Sequence, residues 1–401
     1  MKYVVVLGDG MADEPIESLG NKTPLEYANT PTMDMLSKKS EVGLCHTIPE
    51  GMKPGSDTAN LSVLGYDPKK YYSGRSPLEA LSIGVPMKDT DIALRMNIVS
   101  ITDDPALKFE EQTIIDHSSS EISTEDCAVL VEALKEKLQN EEFQFYVGTS
   151  YRHCLIWDNG QVIDLVQPHD VLGQTIGQHL PKQEAFLNMM KISYDLLKDH
   201  PINIERKKKG LNPANCCWFW GAGTKPMLSS FEEKTGLRGM MVSAVDLLKG
   251  IGTGASMGVA KVKGANGGLN TNYAGKVKAA LDALDNGYDF SYIHVEAPDE
   301  MGHQGSIEKK IKAIELLDSE VIKPVYETLK AKGEDFKILV CPDHPTPIRV
   351  RTHTADPIPY MIYDSTNERN ENWNYNEREA KAGGIYEPVG HHLMNHFLNL
   401  K

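Results

Sequence analysis

The amino-acid sequence predicts an α/β protein in which a helix-flanked, three-layer parallel-sheet core is interrupted by a smaller inserted α+β domain. Three observations lead there. Apolar runs at residues 4–9, 292–299 and 338–343 are short and bounded by Gly or Pro, the pattern of strands buried on both faces of a parallel sheet. Strand–helix alternation marks the opening segment, with a helix near 32–39, a strand near 42–48 and a helix after Ser56, and it resumes after Leu228. Between these, from about residue 92 to 160, the texture becomes that of half-exposed strands, notably 143–147 and 154–157. Helices are expected over 124–138 and 184–198 within this stretch. The core therefore comprises residues 1–87 and 227–401, and the insert 88–226.

Length and charge bound the function. A chain of 401 residues is long for one core. Its net charge of −14 excludes a broad nucleic-acid footprint, so an anionic substrate must be met by local cations. Six cysteines show no CxxC spacing and need not pair. No segment approaches the about 18 apolar residues of a membrane span, and the N-terminal run is too short for a signal peptide, so a cytoplasmic location is expected. The basic run 206–209 reads as a solvated connector.

The chemistry gathers at the strand ends. Ligands collect at the carboxyl edge of parallel strands, and each apolar run ends in an aspartate: Asp9, Asp299 and Asp343. His303 lies four residues after Asp299, on one helix face with it; His344 follows Asp343, and His353 comes nine residues later. Carboxylates and imidazoles aimed at one edge call for bound cations, and this mixed donor set suits Mn²⁺ or Zn²⁺. Two such ions about 4 Å apart form a clamp for phosphoryl groups. The nucleophile is Ser56, where Gly55 permits a tight turn and the apolar pattern resumes, placing the hydroxyl at a helix N-terminus.

Asp9, Ser56, Asp299, His303, Asp343, His344 and His353 resemble the seven metal and nucleophile positions of the alkaline phosphatase superfamily. More closely, Gly8-Asp9-Gly10, Pro54-Gly55-Ser56-Asp57-Thr58-Ala59, Leu64-Gly65-Tyr66-Asp67-Pro68, Asp299-Glu300 with Gly302-His303, and Asp343-His344 resemble the archaeal-type cofactor-independent phosphoglycerate mutases nearly end to end. The resemblance implies an alkaline-phosphatase-like core with a lid-forming, substrate-binding insert. One metal would be held by Asp9, Ser56, Asp343 and His344, the other by Asp299, His303 and His353. Ser56 would carry the phosphoryl group between 3-phosphoglycerate and 2-phosphoglycerate as phosphoserine, with no 2,3-bisphosphoglycerate. Lys249 would reach the phosphate.

Arg95 and Arg152 match positions able to clamp a small phosphorylated carboxylate, and Asp116 is a candidate for proton transfer. The family pattern carries arginines near Glu14, within 116–121 and at Trp220, where this chain has other residues. That leaves open a homoserine kinase-like phosphotransferase, with Glu14 or Glu121 facing an ammonium group, and a metal-dependent phosphatase. The glycine-rich stretch 250–258 lacks the strand–turn–helix context of a dinucleotide site.

Overall fold

The computed structural model describes residues 1–400. Its strands, in chain order, are β1 (Lys2–Gly8), β2 (Ser40–Cys45), β3 (Ile92–Ile101), β4 (Ile114–Asp116), β5 (Phe143–Thr149), β6 (Arg152–Trp157), β7 (Cys216–Thr224), β8 (Gly239–Val242), β9 (Gly258–Val259), β10 (Phe290–Val295), β11 (Phe336–Cys341), β12 (Ile358–Asp364) and β13 (Tyr386–Glu387). The chain divides into two compact units, one comprising Met1–Tyr72 and the chain from Met227 onward, the other Ser73–Pro226.

The first unit is built on an eight-stranded sheet ordered β13-β2-β12-β11-β1-β10-β8-β9. β1 pairs parallel with β10 on one side and β11 on the other, so Leu7 lies level with both His294 and Cys341. Val4, Val5, Val6 and Leu7 are all fully buried, which requires cover on both faces and explains the unbroken apolar run. β12 departs from the all-parallel expectation and runs against both neighbours, β11 and β2. Its connection from β11, residues 342–357, contains no crossover helix, the element that usually carries a parallel return. That helix-free connection is the loop that carries the predicted ligands.

The second unit is an antiparallel sheet in which β3 pairs with β6 and β7, β5 flanks β6, and β4 pairs with the end of β3. The Thr124–Leu138 helix packs on β5 and the Glu184–Leu197 helix on β7. The Thr124–Leu138 helix starts where Ser123 accepts from the Asp126 N–H, has Glu125 and Asp126 in its first turn and Lys135 and Lys137 in its last, and buries Cys127, Leu130, Val131, Leu134 and Leu138. Capping, dipole and apolar stripe thus agree. Phe186 meets Phe219 edge-to-face at 5.4 Å and Trp157 at 5.1 Å, forming an aromatic centre beside the buried Trp218.

Two further expectations change here. The second unit begins at Ser73, not at residue 88, because the Arg75–Ser82 helix packs on β3 and β7 and Ala80 shares an apolar cluster with Ala93, Cys154 and Ile156. The basic run 206–209 is solvated only in part: Lys207, Lys208 and Lys209 are exposed, but Arg206, in the last turn of the Pro201–Lys208 helix, is buried and donates to the carbonyls of Asn212 and Ser119. A run of charges hides one member whose donors are consumed by loop carbonyls.

Trp218 also donates its indole N–H to Val166 O at 2.8 Å. Replacing it with alanine should lower the stability of the second unit by about 3–5 kcal/mol, read from the urea midpoint of its far-UV signal.

Candidate active site

β1 ends at Gly8 and the chain turns through Gly10, whose φ of 59° is left-handed. A side chain there could not fit, since a Cβ would lie 2.5 Å from Asp299 Oδ1 and Thr346 Oγ1. The turn delivers Asp9 to the sheet edge and aims the Gly10 N–H at Asp343 Oδ1, 3.1 Å away. Asp343 also accepts from the His344 N–H at 2.9 Å and from Asn60 Nδ2 at 2.8 Å. Asn60 lies on the Ser56–Val63 helix, donates to Ser56 O at 2.8 Å and accepts from the Tyr292 hydroxyl at 2.7 Å. One amide thus ties the serine helix to both an aspartate and a core strand.

Ser56 Oγ lies 3.1 Å from His344 Nε2. That same nitrogen is 3.5 Å from Asp9 Oδ1 and 3.4 Å from Asp343 Oδ2. His344 Nδ1 sits 3.3 Å from Pro345 O, an acceptor, so Nδ1 carries the hydrogen and Nε2 turns its lone pair to the cluster. His303 has the same arrangement: Nδ1–H donates to Arg351 O at 2.9 Å, and Nε2 faces Asp299 Oδ2 at 3.2 Å and His353 Nε2 at 3.1 Å. His353 Nε2 is 3.5 Å from Asp299 Oδ1, and its ring centre is 4.0 Å from that of His344. Ligand atoms of Asp9, Asp343 and His344 fall within 4.8 Å of one another, as do those of Asp299, His344 and His353. The seven predicted residues therefore come together, with His344 belonging to both groups.

The electrostatics fit bound cations. Burial, then the carboxylates of Asp343, Asp299 and Glu296, push Asp9 well above the usual carboxylate range. Its Oδ1 is buried with no hydrogen-bond partner, a costly state for an anion unless a positive charge stands there. Burial likewise raises Asp299, but the imidazoles of His303 and His353 bring it below its usual range, while Asp299 raises His303 to about 9. Protons hold together lone pairs that a divalent cation would bridge. Carboxylate and imidazole donors with no thiolate fit such an ion.

Several supporting residues escaped the sequence reading. His294, fully buried on β10, contacts Asp9 Oδ2 through Nε2 at 2.9 Å, and burial lowers it to about 3, so the ring is neutral. Its signal was an imidazole in a fully buried central strand, which needs a partner. Thr346 donates to Asp299 Oδ1. Lys310, fully buried, donates to Asp13 Oδ2 at 2.7 Å, Thr346 O at 2.8 Å and Ala12 O at 3.2 Å. It pins the loop after β1 to the loop after β11, and both carry predicted ligands. Lys249 lies on the Asp246–Gly254 helix, its Nζ 3.1 Å from Asp246 Oδ1. That helix runs through Gly250 and Gly252, so no dinucleotide-type turn forms there.

In the second unit, β3 and β6 place Asn97 opposite Arg152, and β3 and β7 place Arg95 opposite Trp220. Arg95 stacks on the Trp220 ring at 4.3 Å and is held at Glu79 by two bonds of 2.7 Å. Burial lowers Arg95, Glu79 raises it, and Arg75 and Arg152 lower it again. Arg75 and Arg95 thus share the Glu79 carboxylate, an excess of positive charge suited to an anion. His117 and Tyr151 stand edge-to-face at 5.7 Å beside exposed Arg152.

Asp116 contrasts with its expected role. Its carboxylate accepts from the Ser118 N–H and hydroxyl at 2.8 Å each, the Ser120 N–H, and Asn212 Nδ2 at 3.0 Å. Burial raises it, but those donors outweigh burial and hold it at about 2, too acidic to take up a proton readily near neutrality. It anchors a turn in which Ser119, Ser120 and Glu121 all have φ near +50° (51°, 54° and 50°). Cys127 and His153, 3.0 Å apart, are no nucleophile pair either. The Gly148 N–H occupies His153 Nδ1, so Nε2–H points at the sulfur, and burial pushes the thiol up to about 12.

A discontinuous α/β core with a serine, three aspartates and three histidines at one sheet edge defines a metal-dependent enzyme class. A family model described as 2,3-bisphosphoglycerate-independent phosphoglycerate mutase matches residues 37–203. A Geobacter sulfurreducens protein named as a probable enzyme of that kind is 45% identical over 406 residues, covering 100% of both chains. The Methanosarcina barkeri 2,3-bisphosphoglycerate-independent phosphoglycerate mutase is 46% identical, covering 96% of each. The solved cofactor-independent phosphoglycerate mutase from Thermoplasma acidophilum superposes with a TM-score of 0.65 at 26% identity over 100% of both chains. The chain belongs to the 2,3-bisphosphoglycerate-independent phosphoglycerate mutase family.

Removing the buried cation tests the loop staple. Lys310→Met leaves Asp13 without its partner and should cost about 3–5 kcal/mol, seen as a lowered chemical-denaturation midpoint.

Proposed function

We propose that the chain interconverts 3-phosphoglycerate and 2-phosphoglycerate through a phosphoserine at Ser56. The observation that carries this is Ser56 Oγ at a helix N-terminus, 3.1 Å from His344 Nε2, within the Asp9–Asp343–His344 cluster. A bond forms from Ser56 Oγ to phosphorus as the ester oxygen of the glycerate departs. After the glycerate reorients, its neighbouring hydroxyl attacks and the Oγ–P bond breaks. The proton lost from one hydroxyl is regained by another, so the cycle is neutral in protons and releases no phosphate. Because the serine stores the group between the two transfers, no 2,3-bisphosphoglycerate is required.

Asp9, Ser56, Asp343 and His344 would hold one divalent cation and Asp299, His303 and His353 the other, with Mn²⁺ or Zn²⁺ matching the donors. When bound, the pair supplies charge neutralisation for the phosphoryl group and acidifies the serine hydroxyl. The Ser56 and Asp57 N–H groups opening the Ser56–Val63 helix favour the same anion, the Thr58 N–H being taken by Asp57 Oδ1. We assign substrate recognition to Arg95 and Arg152, forks suited to phosphate and carboxylate, and phosphate contact to Lys249. The homoserine kinase-like alternative loses one of its footholds: Glu14, its candidate ammonium partner, is already clamped by Arg349 through bonds of 2.8 and 2.9 Å.

The deciding assay is isomerisation of 3-phosphoglycerate by the Mn²⁺-loaded protein. Formation of 2-phosphoglycerate without free phosphate is expected; phosphate release without isomer would make it a phosphatase. Ser56→Ala should lower kcat by more than about a thousandfold while the circular dichroism spectrum is kept. Arg152→Ala should raise KM by about tenfold or more, the loss of one charge-assisted bond of about 1.5–3 kcal/mol, in steady-state kinetics.

A further inference from the structure

We infer that His294 is a positioning residue for Asp9, its tautomer fixed by Ser243, and that this relay sets cation affinity at the Asp9–Asp343–His344 corner. The inference rests on the two-cation reading above and adds residues outside the ligand set.

Hydrogen-bond direction can be followed group by group. The Val245 N–H donates to Ser243 Oγ at 3.0 Å, so that oxygen is already an acceptor there. Its own hydrogen turns to His294 Nδ1, 3.1 Å away. Nδ1 therefore keeps its lone pair, the hydrogen resides on Nε2, and Nε2–H donates to Asp9 Oδ2 at 2.9 Å. The strand backbone is fixed as well, because fully buried Lys276 donates to His294 O at 3.0 Å.

The two oxygens of Asp9 are thus distinguished. Oδ2 is engaged by the imidazole, and Oδ1 is the buried atom without a hydrogen-bond partner, 3.5 Å from His344 Nε2. A carboxylate held by one oxygen presents the other at a fixed angle. Without the imidazole, Asp9 can rotate about its terminal bond and loses the donor on its far side. Such outer partners typically contribute 10–100-fold in metal affinity. The relay begins at Ser243 and Val245, just before the Asp246–Gly254 helix that bears Lys249, so the same turn orients a metal ligand and launches the lysine helix.

The test is Mn²⁺ equilibrium dialysis of the metal-free full chain as wild type, His294→Leu, His294→Gln and Ser243→Ala. Wild type should bind two ions. His294→Leu should weaken one binding event by about 10- to 100-fold and spare the other. Glutamine keeps a donor near the Nε2 position and should restore most of that affinity, whereas a purely space-filling role would not distinguish it from leucine. Ser243→Ala, a smaller change, should weaken the same event and keeps the test decisive if His294→Leu fails to fold. Two ions bound by the variants as tightly as by wild type would overturn the inference alone; a wild type that binds none would overturn the two-cation reading beneath it.

Discussion

β10, β1 and β11 lie side by side and point the same way, so whatever follows each strand emerges at one edge. Here that is Asp9 after β1, Asp343 after β11, and Asp299 in the Ala297–His303 helix after β10. The common register forces carboxylates together, and burial denies them water. Their mutual repulsion is the constraint under which the rest of the site is arranged: imidazole lone pairs turned inward, backbone N–H groups and one amide aimed at Asp343, and an oxygen of Asp9 left unpartnered. Such a cluster is unstable as a set of bare anions and stable as a cage for positive charge.

The surroundings are correspondingly polar at depth. Asn60 joins Ser56, Asp343 and Tyr292, and Lys310 joins the loops after β1 and β11. Each of these groups has its hydrogen bonds met by other parts of the fold, which lets a buried network fix geometry. Ser56, the proposed nucleophile, consequently sits on an element clamped to the sheet. This is what phosphoryl transfer through a serine requires, since positioning and charge supply most of the catalysis.

Much of this was legible in the sequence because it was written in short-range patterns. Unbroken apolar runs ending in aspartate declared the central strands and their edge, and Ser56 after Gly55 declared a helix start. Other features depended on groups distant in sequence. Nothing local to Asp116 announces Asn212, the partner that makes it a turn anchor. Arg206 looks like any member of a basic run until the Ser119 carbonyl is placed against it. The reversed β12 was hidden because a loop of ligands and a loop of crossover read alike. His294 could have been found: a histidine in a strand buried on both faces must be answered by something.

The pairing of β1 also fixes an order of events during synthesis. Its two neighbours, β10 and β11, begin at Phe290 and Phe336, and β2 waits for β12 and β13. The 73–226 unit, by contrast, contains all the strands of its own sheet. On the ribosome that interrupting unit can close first, since domains generally fold as units while the chain elongates. The two opening strands must remain unpaired in the main sheet until most of the polypeptide has emerged. The nascent chain therefore carries the apolar β1 segment without either of its sheet partners until Phe290 and then Phe336 have been reached.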